Sequence, residues 1–513
     1  MSDTRSEKFE PSEAGPFVCE PRVHVSTAKP KAPLTEEELA NMEKPKVLIV
    51  GAGIGGLMLA NLLQKGNIPY EVYERNKEMK PLGSAMSLGS CFKQLFQQLQ
   101  LLEEFEKIGK PNLTMELFDS EMKSMFVLDS TARETITGGV EYIVARPDLY
   151  NLLLRQIPKE RIHMGKKVMS FLQNDGGVMI RCSDNSTVQG DILVGADGTY
   201  SGVRQHLYKT LKEKKVLPAS DEKAMPFTCI CLVGQTDVLD PEEFPGLKLP
   251  QSQFVFVVGE ENYSLSTLTT ITNRICWFVI RFLDKESSRE HDSFRNSEWG
   301  PEQAEAMCKE VRHFKVPIGK EGAIMTMGDL IDKTPKDLIS KVMLEEKIFE
   351  TWHGGRTVLL GDSCHKLNPA GGAGALNAIQ DAVALGNWIC ALQAKDKDSI
   401  ARIFKEYRDE RYPVVKAAFA TSQVFRDLGG INFKGLLTRM VFKNMPKWLM
   451  EKVIIRRTRS RPQVSFLPLR KDNGSVPPMA QPSLEKTLPI IQARLEAELA
   501  KAESGQKVVA TAV

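Results

Sequence analysis

The chain lacks several features that identify other classes of protein. Its 7 histidines show no spacing typical of metal ligands, and no apolar run reaches the length of a membrane-spanning helix. The formal net charge is only +3, and aromatic residues do not cluster among the basic ones. We therefore expect no bound metal ion and no nucleic-acid partner.

Cysteines are scattered and show no regular pattern. No Cys-x-x-Cys pair occurs among the nine, which are Cys19, Cys91, Cys182, Cys229, Cys231, Cys276, Cys308, Cys364 and Cys390. This odd-numbered set predicts reduced thiols in an intracellular compartment, so we expect a cytoplasmic protein. Cys229 and Cys231 alternate onto one face of a predicted strand, where packed thiols are expected rather than a disulfide.

The first of three glycine-rich segments is GAGIGG, from Gly51 to Gly56. It follows the apolar run Val47 to Val50, which predicts a buried parallel strand, and it precedes the helical pattern Leu57 to Leu63. In such a unit Gly51 permits the tight turn, Gly53 lets the backbone approach a pyrophosphate, and Gly56 lets the helix pack on the strand. Because the start of a helix also attracts phosphate, the segment predicts a dinucleotide site.

The next predicted strand, Tyr70 to Glu74, ends on an acidic residue. Glu74 lies 23 positions after Gly51, where a carboxylate can accept hydrogen bonds from the ribose hydroxyls of an adenosine. A carboxylate at this place also argues against a phosphate on that ribose. NAD and FAD both satisfy this pattern, so the first segment leaves the choice of cofactor open.

The other two glycine-rich segments favour FAD. The second is GADG, Gly195 to Gly198, and the third, Gly361 to Gly374, follows the buried run Val358 to Leu360. Asp362 can accept hydrogen bonds from the ribityl chain of an extended flavin dinucleotide, a contact that NAD does not need. The glycines before the helical run Ala375 to Leu385 can place bare N–H groups against the isoalloxazine and stabilise the reduced flavin.

These segments resemble the motifs of class A FAD-dependent monooxygenases, the aromatic-ring hydroxylase type, and especially their fungal secondary-metabolism branch. The match covers roughly Lys46 to Pro468. The family's GADGxxSxVR motif is matched by Gly195 to Arg204, and its arginine ahead of a helix is matched by Arg146. Its GD motif is matched by Gly361, Asp362, His365 and Pro369.

The resemblance implies FAD contacts for ten residues, with Asp197 also serving the passing nicotinamide cofactor. They are Gly51, Gly53, Gly56, Glu74, Ser87, Arg146, Asp197, Asp362, Gly374 and Ala375. Three polar positions in these motifs carry a structural alternative. His365 is expected to make a loop or helix-start hydrogen bond rather than to act in catalysis, and Asp197 with Arg204 has the alternative of a salt-bridged turn.

Two departures from the family pattern limit what carries over. Leu376 stands where the family usually has Asn, and Asn377 follows one position later, so a different contact at the flavin edge is expected. The predicted strand Phe227 to Gly234 carries neither the Arg nor the Tyr that many fungal relatives have there. We therefore assign no catalytic acid or base.

The activity that the resemblance implies is that of an FAD-dependent monooxygenase. NADPH or NADH binds transiently and reduces the flavin, O2 forms a flavin C4a-hydroperoxide, and one oxygen atom hydroxylates or epoxidises the substrate. The expected substrate is a hydrophobic aromatic or isoprenoid-like small molecule. Two alternatives stay open: a flavin-dependent reductase or dehydrogenase of the geranylgeranyl-reductase type, and a flavoprotein scaffold whose site has decayed.

The implied fold is α/β, with a Rossmann-like FAD-binding domain of three layers (ββα), an antiparallel-sheet substrate domain and C-terminal helices. Several domains are expected, because 513 residues exceed the size at which a single core keeps growing. The predicted regions are a disordered leader over 1–44, a discontinuous FAD-binding domain over 45–215 and 351–395, the substrate domain over 216–350, a helical region over 396–470 and a mobile tail over 471–513.

Alternating apolar residues over 253–258, 263–270 and 274–282 predict the antiparallel sheet of the substrate domain. Its large apolar side chains have two interpretations, a surface for a hydrophobic ligand or ordinary core. They include Phe254, Phe256, Trp277 and Phe278.

The segment Ile431 to Arg461 mixes apolar residues with nine positive charges, which only Glu451 offsets, for a segment net charge of +8. A basic amphipathic helix of this kind can lie on an anionic membrane and feed a lipophilic substrate to the site. The alternative is a helix that packs on the body with a solvated basic face. A cytoplasmic protein with peripheral membrane contact is one of the two expectations.

Overall fold

The fold is that of a computed structural model that describes residues 43–78, 85–259, 262–288, 301–319, 325–368, 372–430 and 433–511. The predicted leader over 1–44 lies outside the described residues except for Glu43 and Lys44, and so does Pro369 of the third glycine-rich segment.

Within these residues the strands, numbered in chain order, are β1 (Val47–Val50), β2 (Tyr70–Glu74), β3 (Ala85–Leu88), β4 (Gly109–Pro111), β5 (Thr114–Phe118), β6 (Ser124–Asp129), β7 (Tyr142–Ala145), β8 (Ile162–Met164), β9 (Val168–Asn174), β10 (Gly177–Cys182), β11 (Thr187–Gly190), β12 (Ile192–Gly195), β13 (Pro226–Gln235), β14 (Phe254–Val258), β15 (Tyr263–Thr269), β16 (Ile275–Ser288), β17 (Lys315–Val316), β18 (Met325–Thr326), β19 (Ser340–Glu345), β20 (Lys347–Ile348), β21 (His353–Gly354), β22 (Thr357–Leu359) and β23 (His365–Lys366).

The α-helices of the same residues are α1 (Ile54–Lys65), α2 (Lys93–Leu99), α3 (Leu102–Ile108), α4 (Ala132–Thr137), α5 (Arg146–Leu154), α6 (Gly202–Glu213), α7 (Ala219–Glu222), α8 (Pro301–Val311), α9 (Met327–Asp332), α10 (Ala373–Cys390), α11 (Lys397–Leu428), α12 (Phe433–Lys443), α13 (Lys447–Thr458) and α14 (Pro482–Thr511).

A six-stranded sheet in the order β21-β22-β12-β1-β2-β8 carries the first two glycine-rich segments at its strand ends. Its strands run parallel except for β21 at one edge. All four residues of β1 are buried, as expected for a strand that is covered on both faces. Helices α1 and α10 pack against each other beside this sheet, and the antiparallel meander β9 to β11 contacts it. The predicted α/β fold class is confirmed.

A seven-stranded sheet in the order β19-β13-β16-β15-β14-β5-β6 forms the second large layer. Its pairs are antiparallel except for β14 and β5, which run parallel. The domain boundaries need a correction here, because residues 114–129 were assigned to the region 45–215 but extend the sheet of the substrate domain. The pairing of β5 with β14 joins residues far apart in sequence, so no local pattern indicates it.

Two local patterns have different outcomes. The sequence Asn-Asp-Gly-Gly from Asn174 to Gly177 is typical of a hairpin turn, and it joins β9 and β10. Asn174 Oδ1 accepts hydrogen bonds from the N–H groups of Gly176 and Gly177. The apolar spacing over Phe92 to Phe105 predicts a helix, and the structure divides this region into α2 and α3. The division occurs because Gln100 adopts a left-handed conformation, with a φ of 61°.

The C-terminal helices follow the third glycine-rich segment. α11 continues through Pro413 for 32 residues, and the basic segment folds into α12 and α13. No helix in the described part of the chain combines the length and the apolar character needed to cross a bilayer.

The predicted mobile tail over 471–513 also needs a correction, because α14 packs on the body of the protein. Ser483 donates hydrogen bonds from its backbone N–H and its hydroxyl to the carboxylate of Glu410, at 2.8 and 3.0 Å. Arg494 donates to the carbonyl groups of Cys390 and Leu392, at 2.8 and 3.1 Å. These long-range polar contacts fix the helix, and the sequence pattern of the tail alone does not indicate them.

Candidate functional site

The three glycine-rich segments meet at a cavity of about 490 Å³. Gly53 of the first segment, Gly198 of the second and Gly361 of the third lie in its wall. Strand β3, the seven-stranded sheet and helices α12 and α13 complete the enclosure. The fold therefore brings together backbone from three distant parts of the chain around one space.

Six of the ten predicted cofactor-binding residues line this cavity, namely Gly53, Ser87, Arg146, Asp362, Gly374 and Ala375. The other four are not among its lining residues, namely Gly51, Gly56, Glu74 and Asp197. These four stabilise the turns from which the cavity wall is built.

Gly51 and Gly56 allow β1, α1 and the second segment to approach one another closely. Gly51 has a φ of 107°, and a Cβ atom there would lie 2.3 Å from the carbonyl oxygen of Ala196. A Cβ atom at Gly56 would lie 2.1 Å from the carbonyl oxygen of Gly51. Because neither position has room for a Cβ atom, only glycine allows the strand and the helix to lie this close together.

The buried carboxylate of Glu74 connects the end of β2 to the first glycine-rich turn. Its Oε2 atom accepts a hydrogen bond from the N–H of Ala52 at 3.0 Å, and its Oε1 atom accepts one from the N–H of Asn76 at 2.9 Å. A carboxylate oxygen can accept a second hydrogen bond. The geometry is therefore compatible with a further contact from a ribose hydroxyl.

Gly53, Gly198 and Gly372 expose bare backbone at the first, second and third segments. All three glycines line the cavity. A Cβ atom added to any of them would have no atom within 4 Å, because the space in front of each is open. Gly53 precedes α1 and Gly372 precedes α10, so both lie at helix starts, which attract negative charge. Open glycine backbone at two helix starts fits the pyrophosphate and the isoalloxazine edge of FAD.

Asp362 offers an ionised carboxylate to the cavity. Lys366 Nζ lies 2.5 Å from its Oδ2 atom, and the hydroxyl of Thr199 donates to the same oxygen at 3.3 Å. Burial opposes ionisation, but the charge and hydrogen bond of Lys366 outweigh it and hold the pKa of Asp362 below its ordinary value. Arg146 also lines the cavity, and its guanidinium forms no hydrogen bond or ion pair with the described residues.

Asp197 joins the second segment to the third. Its Oδ1 atom accepts hydrogen bonds from the hydroxyls of Ser201 and, at 3.3 Å, Ser363, while Oδ2 accepts one from the N–H of Val203 at 3.1 Å. Arg204 donates to the carbonyl oxygen of Ser363 at 2.8 Å. Burial raises the pKa of Asp197. The pair Asp197 and Arg204 thus holds two turns together through Ser363.

His365 lies beneath the third segment, in a buried hydrogen bond with Asp381. The Nε2 atom of His365 lies 2.6 Å from Oδ2 of Asp381, which also accepts a hydrogen bond from the N–H of Gly361 at 3.1 Å. Arg411 of α11 donates to Oδ1 at 2.8 Å. Burial opposes the ionisation of Asp381, but His365 and Arg411 hold its pKa below the ordinary value. The contact is structural, in line with the expectation for His365.

One part of the cavity wall is apolar and comes from the seven-stranded sheet. Phe254 of β14, Leu268 of β15 and Phe278 of β16 line it. Helices α12 and α13 add Phe442, Ile454 and two further apolar residues. A wall of this composition excludes water and suits a hydrophobic ligand.

The two interpretations of the large apolar residues both apply, to different positions. Phe254 and Phe278 line the cavity, whereas Phe256 and Trp277 lie in the core. Trp277 is fully buried, and its Nε1–H donates to the hydroxyl of Thr334 at 3.0 Å. Trp277 and Phe278 are adjacent on β16 and therefore point to opposite faces. Phe254 and Phe256 of β14 are two residues apart on one face, so their roles differ through their position along the strand.

Strand β13 contributes no residue to the cavity wall. Its two thiols pack with Ile280 and Leu344. Burial raises the pKa of Cys229 to about 11 and that of Cys231 to about 12, so both remain protonated. The side chains have the environment expected of packed thiols.

Sequence reasoning missed a polar group on the wall, formed by Asn112, Ser130, Arg133 and Arg457. None of these residues belongs to a recognised motif. Arg457 lies within the basic segment, where its neighbours suggest a solvated surface. Only the packing of α4 on α13 brings Arg133 and Arg457 to one wall, so the sequence carries no local signal for this group.

Comparisons with known proteins agree with this geometry. A family described as "FAD binding domain" matches residues 44–240 and 326–422. The FAD-dependent monooxygenase ptmM of Penicillium ochrochloron is 30% identical over 402 residues, which are 75% of this chain and 88% of that protein. The FAD-dependent monooxygenase paxM of Penicillium paxilli is 30% identical over 401 residues, which are 74% of this chain and 79% of that protein.

Solved structures share the fold at lower identity. Klebsiella pneumoniae HpxO, in complex with FAD and uric acid, superposes with a TM-score of 0.62 at 22% identity over 80% of this chain and 96% of that protein. P. aeruginosa PqsL, in complex with 2-aminobenzoylacetate, superposes with a TM-score of 0.57 at 20% identity over 78% of this chain and 99% of that protein.

Proposed function

Because this chain belongs to the FAD-binding family of FAD-dependent monooxygenases, we propose that it hydroxylates or epoxidises a hydrophobic aromatic or isoprenoid-like small molecule. NADPH or NADH is the transient reductant and O2 is the cosubstrate. One observation carries the proposal: open glycine backbone, Arg146 and Asp362 line the same cavity as the apolar side chains Phe254 and Phe278.

Bound FAD supplies the electron transfer and the oxygen activation. The chain's own residues bind and orient it. The starts of α1 and α10 place N–H groups and positive dipole ends toward the cavity, where Gly53 and Gly372 leave room for phosphate and isoalloxazine. The ionised Asp362 accepts hydrogen bonds from ribityl hydroxyls, and Arg146 contributes positive charge to the same wall.

The remaining predicted contacts act through the turns. Gly51 and Gly56 fix the phosphate-binding turn, and Glu74 adds a ribose contact to its two backbone hydrogen bonds. Asp197 holds the second segment against the third, which keeps both in place beside FAD. Ser87 lies on the cavity wall of β3, close to the flavin in this assignment.

The apolar wall performs the second task, which is to exclude water from the reacting flavin and substrate. Phe254, Leu268 and Phe278 pack against a hydrophobic substrate and replace its hydration shell. Phe442 and Ile454 of the C-terminal helices line the same cavity and shield the oxygen-transfer step from solvent.

Isotope incorporation tests the proposal. Enzyme reconstituted with FAD is supplied with NADPH or NADH and labelled dioxygen, across a panel of polycyclic and prenylated phenols. We expect reductant oxidation that a substrate stimulates and one labelled oxygen atom in the product. Reduction of a substrate without label would support the reductase alternative, and protein that binds no flavin would support the decayed scaffold.

We further propose that the surface formed by α12 and α13 docks on an anionic membrane. We call this surface the outer face of α12 and α13. Its apolar side chains are widely exposed: Phe433 by 77%, Leu436 by 59%, Met440 by 58% and Trp448 by 58%. The three on α12 follow the spacing of one helix face. Five exposed basic residues accompany them, namely Lys434, Lys443, Lys447, Lys452 and Arg456.

Charge complementarity favours an anionic bilayer as the partner of this outer face, since only Glu451 offsets these charges. The opposite side of the same two helices lines the cavity through Phe442 and Ile454. A lipophilic substrate dissolved in the bilayer would then enter beside the helices that enclose it.

A further inference from the structure

We propose that Lys366 is a positioning residue for FAD, because its ammonium holds the Asp362 carboxylate by one oxygen and leaves the other turned toward the cavity. This role rests on the proposed function, in which ribityl hydroxyls of FAD donate to Asp362. Lys366 lies inside the third glycine-rich segment but is not one of the residues that match the family motif.

The backbone of the third segment brings the two side chains together. Asp362 lies in the short 3-10 helix Gly361–Ser363, which follows β22, and Lys366 ends β23. β23 pairs antiparallel with β20, where Lys366 is opposite Lys347. Because this pairing fixes the backbone of Lys366, its side chain reaches back to Asp362 from a strand rather than from a free loop.

The two oxygens of Asp362 have different surroundings. Oδ2 accepts a hydrogen bond from Lys366 Nζ at 2.5 Å and one from the hydroxyl of Thr199 at 3.3 Å. Oδ1 accepts none from the described residues, and a Cβ atom placed on Gly374 would lie 4.0 Å from it. Gly374 lines the cavity in the first turn of α10, which carries no charged side chain. The protein therefore holds Oδ2 and leaves Oδ1 for the cofactor.

The charge of Lys366 decides the ionisation of this carboxylate. Burial raises the pKa of Asp362, whereas the charge and the hydrogen bond of Lys366 make the largest contributions that lower it. The pKa therefore lies below its ordinary value. A neutral carboxyl group would carry a proton on one oxygen and offer the ribityl hydroxyls less acceptor capacity. Asp362 thus depends on Lys366 to act as an acceptor.

Two further groups act on Asp362 through their charge, His365 of β23 and Arg146 at the start of α5. His365 is already hydrogen-bonded to Asp381 of α10. Within the described part of the chain, Lys366 is the charged side chain that contacts the Asp362 carboxylate directly. Removal of Lys366 should therefore change Asp362 more than removal of either neighbour.

The second glycine-rich segment leaves the charge of Asp362 to Lys366. It contributes the neutral hydroxyl of Thr199. Its two charged residues contact the neighbouring Ser363 instead: Asp197 accepts from the Ser363 hydroxyl at 3.3 Å, and Arg204 donates to the Ser363 carbonyl oxygen at 2.8 Å.

A structural ion pair and a direct contact with phosphate are two other roles for Lys366. The side chains of Lys366 and Asp362 are 24% and 32% exposed, and a partly exposed ion pair stabilises a fold only weakly. A contact with phosphate would make FAD binding equally dependent on Lys366 at every neutral pH, since a lysine keeps its charge there. Positioning of Asp362 predicts a dependence that grows as the pH falls.

Titration of the apoprotein with FAD at two pH values tests the role of Lys366. We expect Lys366→Met to bind FAD within about threefold of the wild type at about pH 8, and to lose at least about fivefold more affinity than the wild type on a change to about pH 6. Without the ammonium, burial raises the pKa of Asp362, so the carboxylate takes up a proton as the pH falls. The wild-type profile should stay nearly flat, because its Asp362 remains ionised in this range.

Two further substitutions separate the charge of Lys366 from its hydrogen bond. Lys366→Arg keeps both and should restore the flat profile. Lys366→Gln keeps a donor without the charge and should behave like Lys366→Met, so the test does not depend on the folding of one variant. Lys405→Met is the matched control, because Lys405 pairs with Asp409 across the same four-residue spacing and at the same 2.5 Å. It should leave FAD affinity unchanged at both pH values.

Asp362→Asn identifies the group that takes up the proton. An amide cannot be protonated in this range, so Lys366→Met combined with Asp362→Asn should bind FAD weakly and with a flat profile. A profile that stays steep in this double variant would assign the proton to another group and overturn the role of Lys366. A Lys366→Met protein with the wild-type profile, or one that melts like the wild type and loses FAD equally at both pH values, would also overturn it.

The outcomes separate the role of Lys366 from the assignments on which it rests. If Asp362→Ala loses FAD but Lys366→Met keeps the wild-type profile, the contact between Asp362 and FAD stands and the role of Lys366 fails. If Lys366→Met shows the expected profile but no labelled oxygen enters any product, the role of Lys366 stands and the oxygenase function fails.

Discussion

The Nε2 atom of His365 lies 2.6 Å from Oδ2 of Asp381, and both side chains are fully buried. The same carboxylate oxygen accepts a hydrogen bond from the N–H of Gly361, the residue before Asp362. The buried carboxylate of Asp381 on α10 therefore fixes the turn that presents Asp362 to the cavity. The conformation of the third segment depends on a residue that never touches the cavity.

Replacement of Asp381 by asparagine tests this dependence. The change removes one partner of a buried ion pair and leaves Arg411 and His365 without their carboxylate, which costs about 3 to 5 kcal/mol of unfolding free energy. We expect a lower melting temperature and, because the turn loosens, a lower flavin content. Asp398→Asn, on the first turn of α11, is a control that should change neither.

The pH dependence of stability gives a second measurement on the same pair. Because the pKa of Asp381 in the folded protein lies below its ordinary value of 3.8, the unfolded chain binds the proton more tightly. The stabilisation by this carboxylate is thus complete above pH 3.8 and is lost as the pH falls through the folded value. The wild-type protein should lose more stability in acid than Asp381→Asn, and equal losses would contradict the assignment.

Substitutions at two glycines of the first segment should affect stability and cofactor binding differently. Gly53→Ala adds a Cβ atom where no atom lies within 4 Å, so we expect the melting temperature to be nearly unchanged. The methyl group projects into the space assigned to FAD, and FAD affinity should fall by about tenfold, or about 1.4 kcal/mol. Gly56→Ala should have the opposite profile, because its Cβ atom would lie 2.1 Å from a backbone oxygen.

Flavin titration of the apoprotein and thermal unfolding measure the two effects. A Gly53→Ala variant that binds FAD with wild-type affinity would remove the start of α1 from the cofactor site. A Gly56→Ala variant as stable as the wild type would contradict the close approach of α1 to β1.

Much of this architecture could be predicted because the signals are local. The strand, turn and helix around Gly51 and the alternation along β14 to β16 each lie within a short window, and local sequence determines them. The parallel pairing of β5 with β14 joins residues far apart in the chain, so the boundary of the substrate domain was placed wrongly. The packing of α14 depends on Ser483 and Arg494, polar residues whose partners are equally distant.

The candidate site divides in the same way. Glycines and carboxylates that follow strands could be predicted because their spacing is fixed by the turn they form. Arg133 and Arg457 could not, since each is a single charge outside a motif and gains meaning only beside the other. Tertiary packing, rather than sequence pattern, brings these two arginines to one cavity wall.

Replacement of Asp362 by alanine should abolish most flavin binding and leave the fold intact. The carboxylate is ionised and lines the cavity, and its hydrogen bonds within the described part of the chain come from the side chains of Lys366 and Thr199. We expect the flavin content of the purified protein to fall sharply while its circular dichroism and melting temperature, measured as apoprotein, stay close to wild type. Unchanged FAD content in this variant would contradict the assignment of Asp362.

Glu74→Ala is a graded comparison for Asp362→Ala. One ribose contact is a small part of a long cofactor interface, so FAD should bind more weakly but remain detectable. Glu74 also accepts two backbone hydrogen bonds, and stability should fall by about 1 to 3 kcal/mol. We therefore expect Asp362→Ala to lose more flavin than Glu74→Ala, and Glu74→Ala to lose more stability than Asp362→Ala.

Co-sedimentation with vesicles tests the outer face of α12 and α13. Vesicles that contain phosphatidylserine should bind the wild-type protein, and neutral phosphatidylcholine vesicles should bind it much less. The double variant Leu436→Glu, Trp448→Glu replaces two exposed apolar side chains by negative charges, which the anionic lipid headgroups repel. Vesicle binding should therefore fall at least about tenfold. Leu172→Glu is the control, since Leu172 is 69% exposed on β9, away from these helices.

The neighbouring residues Trp277 and Phe278 should respond to truncation in opposite ways, because they point to opposite faces of β16. Trp277 is fully buried and hydrogen-bonded to Thr334, so Trp277→Ala should cost about 3 to 5 kcal/mol of stability. Phe278 lines the cavity, and Phe278→Ala should leave the melting temperature within a few degrees of wild type. Its effect should fall on coupling instead: a larger, wetter cavity admits water beside the flavin, so more reductant is oxidised to H2O2 for each product molecule. Peroxide yield per NADPH consumed, measured beside thermal unfolding, separates the two roles, and a Phe278→Ala enzyme that is well coupled but unstable would place this side chain in the core instead.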